Sequence, residues 1–87
     1  MIFDLINDKY EIKIMIRKYL KLKRKDISLV QFIIEGYEGM ATVTTIDPHA
    51  AIIQVSIIPD FILEMGDIIN DLKNKYKMEE IADYQTK

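Results

Sequence analysis

Residues 44–51 read TTIDPHAA and hold the chain's only histidine, His49, beside Asp47 and one of the two prolines. An Asp–His couple can orient an imidazole for general-base work when a nucleophile lies within hydrogen-bond reach. The same residues also make a turn. Asp favours the first position of a type I turn, Pro the second, and the carboxylate accepts a backbone N–H two residues on. No second His and no Cys exists to complete a dyad or a metal site. The expectation is therefore a turn with His49 in solvent. A second constellation is KRKDIS, residues 23–28. Lys23, Arg24 and Lys25 precede Asp26 and Ser28 at a predicted helix start. Cations beside a helix N-terminus can hold an anion, but Asp26 already brings a negative charge to that end. Alternatively, Arg24 or Lys25 pairs with Asp47 and ties hairpin to helix. The candidate ligand-binding set is thus Arg24, Lys25, Asp26, Asp47 and His49. Glu35 and Glu38 flank Gly36, and paired carboxylates can do acid–base work, yet periodicity turns Glu35 to solvent.

The rest of the composition narrows the chemistry. With no cysteine there is no thiolate nucleophile, disulfide or Cys-based metal centre. Phosphate-binding glycine loops, the nucleophile elbow and the HExxH helix are all missing. No apolar run reaches the ~20 residues that cross a bilayer, and the first residues carry acids rather than a cationic lead. A cytoplasmic, non-enzymatic protein with no cofactor and no resident metal is expected. The net charge of −2 conceals a segregation. Residues 9–25 carry +7, whereas residues 26–72 contain eight acids and no Lys or Arg. Such separation creates local fields that the total hides.

Periodicity supplies the elements. Residues 12–23, IKIMIRKYLKLK, alternate as a half-buried strand, with only Lys18 interrupting the apolar face. Residues 26–37 change to a three-and-four spacing through Ile27, Val30, Ile34 and Tyr37, with Ile33 alongside, which predicts a helix. Asp26 suits its N-cap or first turn, and Gly36 and Gly39 suit its end. Residues 40–46 and 51–58 read as strands around DPHA. Asp60 can cap a second helix through Phe61, Met65, Ile68, Ile69, Leu72 and Tyr76, and residues 78–83 form a weak last strand. Residues 1–14 form an N-terminal extension, whose opening stretch with Ile2, Phe3, Leu5 and Ile6 is either a short helix or an edge strand, and residues 15–87 a single domain. Strand, helix, strand, strand, helix, strand predicts an α+β fold, the ferredoxin-like βαββαβ with a four-stranded antiparallel sheet and both helices on one face.

That arrangement leaves one sheet face open. Arg17, Tyr19, Lys21 and Lys23 should stand on it, beside Gln54, Ser56, Thr42 and Thr44. A solvated or self-paired face, an RNA-binding face, and a site for a small anion or a peptide are the competing readings. RNA modules of this topology stack bases on aromatics of both central strands, and here only Tyr19 qualifies.

Residues 17–72 resemble a family of small uncharacterised bacterial domains. The similarity rests on RKDI at 24–27, on Glu35, Tyr37 and Gly39 after an apolar helix, on Thr45 and Asp47 in the hairpin, and on the closing amphipathic helix. Residues 1–14 extend beyond the usual start of that family. The resemblance implies a fold similar to ferredoxin-like and ACT-like modules and no particular activity. The glycine that ACT modules often place after the first strand is replaced by KRKDIS. The sequence thus points to a binding or regulatory module, a homodimer that takes a protein or small anionic ligand, with RNA on the basic sheet face as the alternative and no membrane association.

Overall fold

A computed structural model describes residues 15–82. The predicted extension, with Ile12 and Ile14 of the alternating stretch, lies outside the described residues, as does the tail from residue 83. Six elements follow in the expected order: β1 (Ile16–Lys21), α1 (Ile27–Glu35), β2 (Ala41–Asp47), β3 (Ile52–Ile57), α2 (Ile62–Tyr76) and β4 (Glu79–Ile81). The strands form one antiparallel sheet in the order β2-β3-β1-β4, the ferredoxin-like βαββαβ arrangement.

β1 lies between β3 and β4. Its alternation fixes which way every neighbour faces, because opposed residues share a face. Leu20 opposes Ile53, Lys18 opposes Val55 and Ile16 opposes Ile57. On the other face Arg17 opposes Ser56 and Tyr19 opposes Gln54. The first set meets the helices. Leu20, Ile53, Val55, Ile57, Val30, Ile34 and Met65 are completely buried. Each such side chain is worth about 1.5–3 kcal/mol of transfer free energy. Ala51, just before β3, is buried as well.

The helix starts differ from expectation. Neither Asp26 nor Asp60 makes a side-chain capping hydrogen bond. The chain enters each helix through a tight 3₁₀ turn instead, over Arg24–Asp26 and over Pro59–Phe61. There the Asp26 N–H bonds to the Lys23 carbonyl and the Phe61 N–H to the Ile58 carbonyl. The Ile27 N–H bonds likewise to the Arg24 carbonyl and the Ile62 N–H to the Pro59 carbonyl, so backbone carbonyls serve the donors at each helix entry. At the other end of α1, Gly39 is left-handed (φ 81°), as expected, whereas Gly36 keeps right-handed helical angles. Lys77, in the left-handed conformation, ends α2 and turns the chain toward β4.

Two polar contacts secure the sheet's outer strands. Glu35 is not merely solvated: its carboxylate accepts the N–H of Val43, on edge strand β2, at 3.0 Å. A bulge between Thr45 and Asp47 distorts the same edge, and both features discourage a further strand from pairing there. At the opposite edge Glu80 of β4 accepts from Lys18 Nζ at 3.2 Å and Lys73 Nζ at 3.3 Å. The cation that interrupts the apolar face of β1 is thus paired, and the same carboxylate joins β1, β4 and α2.

Partial burial pushes the Glu80 carboxyl upward, but the hydrogen bonds and charges of Lys18 and Lys73 outweigh it and hold the group below its ordinary 4.5. A carboxyl more acidic in the folded than in the unfolded chain stabilises the fold above its unfolded pKa. That contribution is lost as pH falls through the folded value. Glu80→Gln should therefore destabilise the fold at neutral pH by about 1 kcal/mol for two half-exposed pairs, which lowers the thermal midpoint by several degrees. Melting curves of both proteins should converge once the pH is well below the folded pKa of Glu80. A constant gap at every pH would show that the charge of Glu80 is not what matters.

Candidate binding surfaces

The hairpin and the β1–α1 turn meet at one end of the sheet. Asp47 Oδ1 accepts the backbone N–H groups of both His49 and Ala50 at 3.0 Å, the side-chain turn expected of DPHA. His49 is exposed. Ala51 closes the turn at φ 60°, a left-handed conformation that costs a residue with a Cβ. Its carbonyl accepts the Leu22 N–H at 3.1 Å, which fastens the turn to the end of β1.

Arg24 joins the two loops, though not through a carboxylate. Its guanidinium donates to the His49 carbonyl at 3.2 Å, while the near charge partner of Lys25 is Asp26, at 3.9 Å. The expected Arg24 or Lys25 pair with Asp47 does not form: the Arg24 guanidinium reaches the His49 carbonyl instead, and Lys25 lies nearest Asp26. The five candidate residues thus gather, but as a latch. Arg24 and Asp47 act on backbone groups, and the His49 contribution is its carbonyl and N–H rather than its imidazole. Among the described residues no group of three or more His, Asp or Glu could hold a metal ion.

The open face lies on the other side of β1. Arg17, Lys21 and Lys23 are exposed, and Tyr19 is half-buried between the first two. The Tyr19 hydroxyl donates to Gln54 Oε1 at 3.0 Å, and Gln54 Nε2 donates to Ser56 Oγ at 3.3 Å. Thr42 and Thr44 of β2 extend this polar row, opposite Ser56 and Gln54. Among the described residues none of Arg17, Lys21 and Lys23 is in an ion pair. The face is not wholly polar, because Ile52 opposes Lys21 there and Ile81 opposes Tyr19.

A third surface was not expected from periodicity. Six of the nine residues of α1 are apolar, more than one sheet-facing stripe can bury. Leu29 is 46% exposed and Phe32 77%. Beside them, Ile33 and Tyr37 of the α1 end and Ile68, Asp71, Leu72 and Lys75 of α2 line a groove of about 190 Å³. The surplus of apolar residues in ISLVQFIIE was the available signal.

No helix among the described residues is long and apolar enough to cross a membrane. Residues 20–75 match the family model for a domain of unknown function, DUF4911. No match was found among curated proteins or among solved structures.

The latch reading predicts a structural cost. Asp47→Ala removes two hydrogen bonds at the turn and should destabilise the domain by about 1 kcal/mol in chemical unfolding. His49→Ala keeps both backbone contacts and should leave stability unchanged within about 0.5 kcal/mol. A large loss from His49→Ala would instead give the imidazole a role of its own.

Proposed function

This chain belongs to the DUF4911 family, and from that premise we propose a non-enzymatic binding module that works as a homodimer and takes an acidic protein segment on its open sheet face. The observation that carries this reading is the row of Arg17, Lys21 and Lys23 along β1, exposed and without an ion pair among the described residues. A native surface that aligns unpaired cations beside hydroxyl and amide groups favours an anionic partner by electrostatic complementarity. The exposed acids of α2, Glu64, Asp67 and Asp71, belong to the helix layer, while Glu79 of β4, set opposite Lys21 on the open face, offsets part of the charge without forming an ion pair with it.

The same charges argue that the two copies do not meet sheet to sheet. A two-fold axis through the open face would bring Arg17, Lys21 and Lys23 against their own counterparts, and like charges across an interface are unfavourable. The open face is therefore left for a different molecule.

RNA is the second reading, and Tyr19 favours it, being an aromatic residue on a central strand among cations. Against it, the register puts Gln54 opposite Tyr19, where a second stacking ring would be needed.

Calorimetric titration with a glutamate-rich peptide, single-stranded RNA and inorganic phosphate separates these readings. At about 50 mM salt the peptide should bind, and Arg17→Glu with Lys21→Glu should weaken it at least about tenfold. RNA binding that falls about tenfold or more on Tyr19→Ala would replace the peptide reading with the nucleic-acid one. No binding of any probe at low salt would overturn the proposal for this face.

A further inference from the structure

We propose that the exposed face of α1 is where two copies of this chain meet, with Phe32 of each copy seated in the α1–α2 groove of the other. The inference rests on the homodimer reading above and names its surface. Its first support is self-complementarity. Phe32, 77% exposed, projects from the same helix that supplies one wall of the groove, through Ile33 and Tyr37. A two-fold axis beside α1 therefore presents knob to hole twice with one contact type, as an isologous interface requires. The volume is sufficient: a cavity of about 150 Å³ holds a benzene ring, and the groove, open to solvent and lined by Asp71 and Lys75 as well as Ile33, Ile68 and Leu72, offers about 190 Å³.

The second support is charge. Lys25 stands just before α1 and Glu38 just after it, both exposed. Two copies of α1 related by an axis near Phe32 run antiparallel. Each copy's Lys25 then approaches the other's Glu38, and the helix dipoles oppose as well. A parallel arrangement would set lysine against lysine and glutamate against glutamate. Leu29, 46% exposed, lies one turn before Phe32 and widens the apolar centre of the contact.

Sedimentation velocity of the full chain across a concentration series tests this. The wild type should be a dimer. Phe32→Glu should dissociate about a hundredfold more readily, without loss of folded circular dichroism, because the side chain is exposed in one copy. Leu63→Glu serves as the control, since Leu63 is equally exposed (79%) but lies on α2 outside the groove lining. It should leave the dimer intact. Lys25→Glu should weaken the dimer about tenfold, and adding Glu38→Lys should restore it. A wild type that stays monomeric at all concentrations overturns both this surface and the homodimer reading, leaving the α1 face to another protein or to residues 1–14. A dimer indifferent to Phe32→Glu overturns this surface alone. A double charge swap no stronger than the single one overturns the antiparallel arrangement.

Discussion

Every feature of this domain depends on the alternation of β1. The strand sits inside the sheet, paired on both sides, so its two faces have two different fates. Leu20 must go to the core because its burial, with Ile53 opposite, is worth several kcal/mol. A period of two then sends Arg17, Tyr19 and Lys21 to the far side with no further choice. Slipping β1 by one residue would bury three polar side chains and expose the core. The basic open face is thus a consequence of the same rule that builds the interior.

Lys18 is the exception that tests this logic. It lies on the buried face, where an unpaired ammonium would be costly. The strand's edge partner supplies Glu80, and α2 supplies Lys73, so the carboxylate serves two cations at once. This grouping makes β4, only three residues long, part of the fold's charge balance as well as its edge. On the other edge, Glu35 reaches from α1 to Val43 and occupies a backbone donor that another chain might otherwise use. Glu35 thus occupies one donor of the β2 edge and Glu80 ties β4 to β1 and α2, while the sheet face and the helix layer are the two broad surfaces of the molecule. One is cationic and polar. The other is apolar around Phe32 and Leu29, with opposite charges at the two ends of α1. Their chemistries differ enough that each suits a different occupant.

Much of the fold was legible in the sequence, because strand and helix periods depend on local spacing alone. The alternation over residues 16–21, the three-and-four spacing around Val30 and Ile34, and the Asp–Pro turn at 47–48 all appear where their side chains predict. What escaped has a common physical cause: each missed feature is a contact between residues distant in sequence, or a backbone solution that replaces a side-chain one. Asp26 and Asp60 look like caps, but 3₁₀ turns supply the hydrogen bonds from carbonyls. Glu35 is solvent-facing by helical period, yet the neighbouring edge strand needs an acceptor there. Opposite charge points Arg24 to the carboxylate of Asp47, but the folded hairpin puts the His49 carbonyl within reach of the guanidinium. The surplus of apolar residues in α1 signals that some must stay uncovered, but which ones, Phe32 and Leu29, depends on how the helix sits on the sheet.

β1 divides the domain into a core-facing apolar side and an open side on which Arg17, Lys21 and Lys23 should outweigh Glu79 and leave a positive field. Paramagnetic relaxation of backbone amides by an anionic and by a neutral soluble nitroxide measures that field directly. The anionic probe should relax amides around Arg17, Tyr19 and Lys21 much faster than the neutral one. It should relax the outer face of α2, near Glu64 and Asp67, more slowly, and both differences should shrink as salt shortens the screening length. Identical patterns from the two probes would contradict the claim, and would mean that the cations of β1 are neutralised by something else in the molecule.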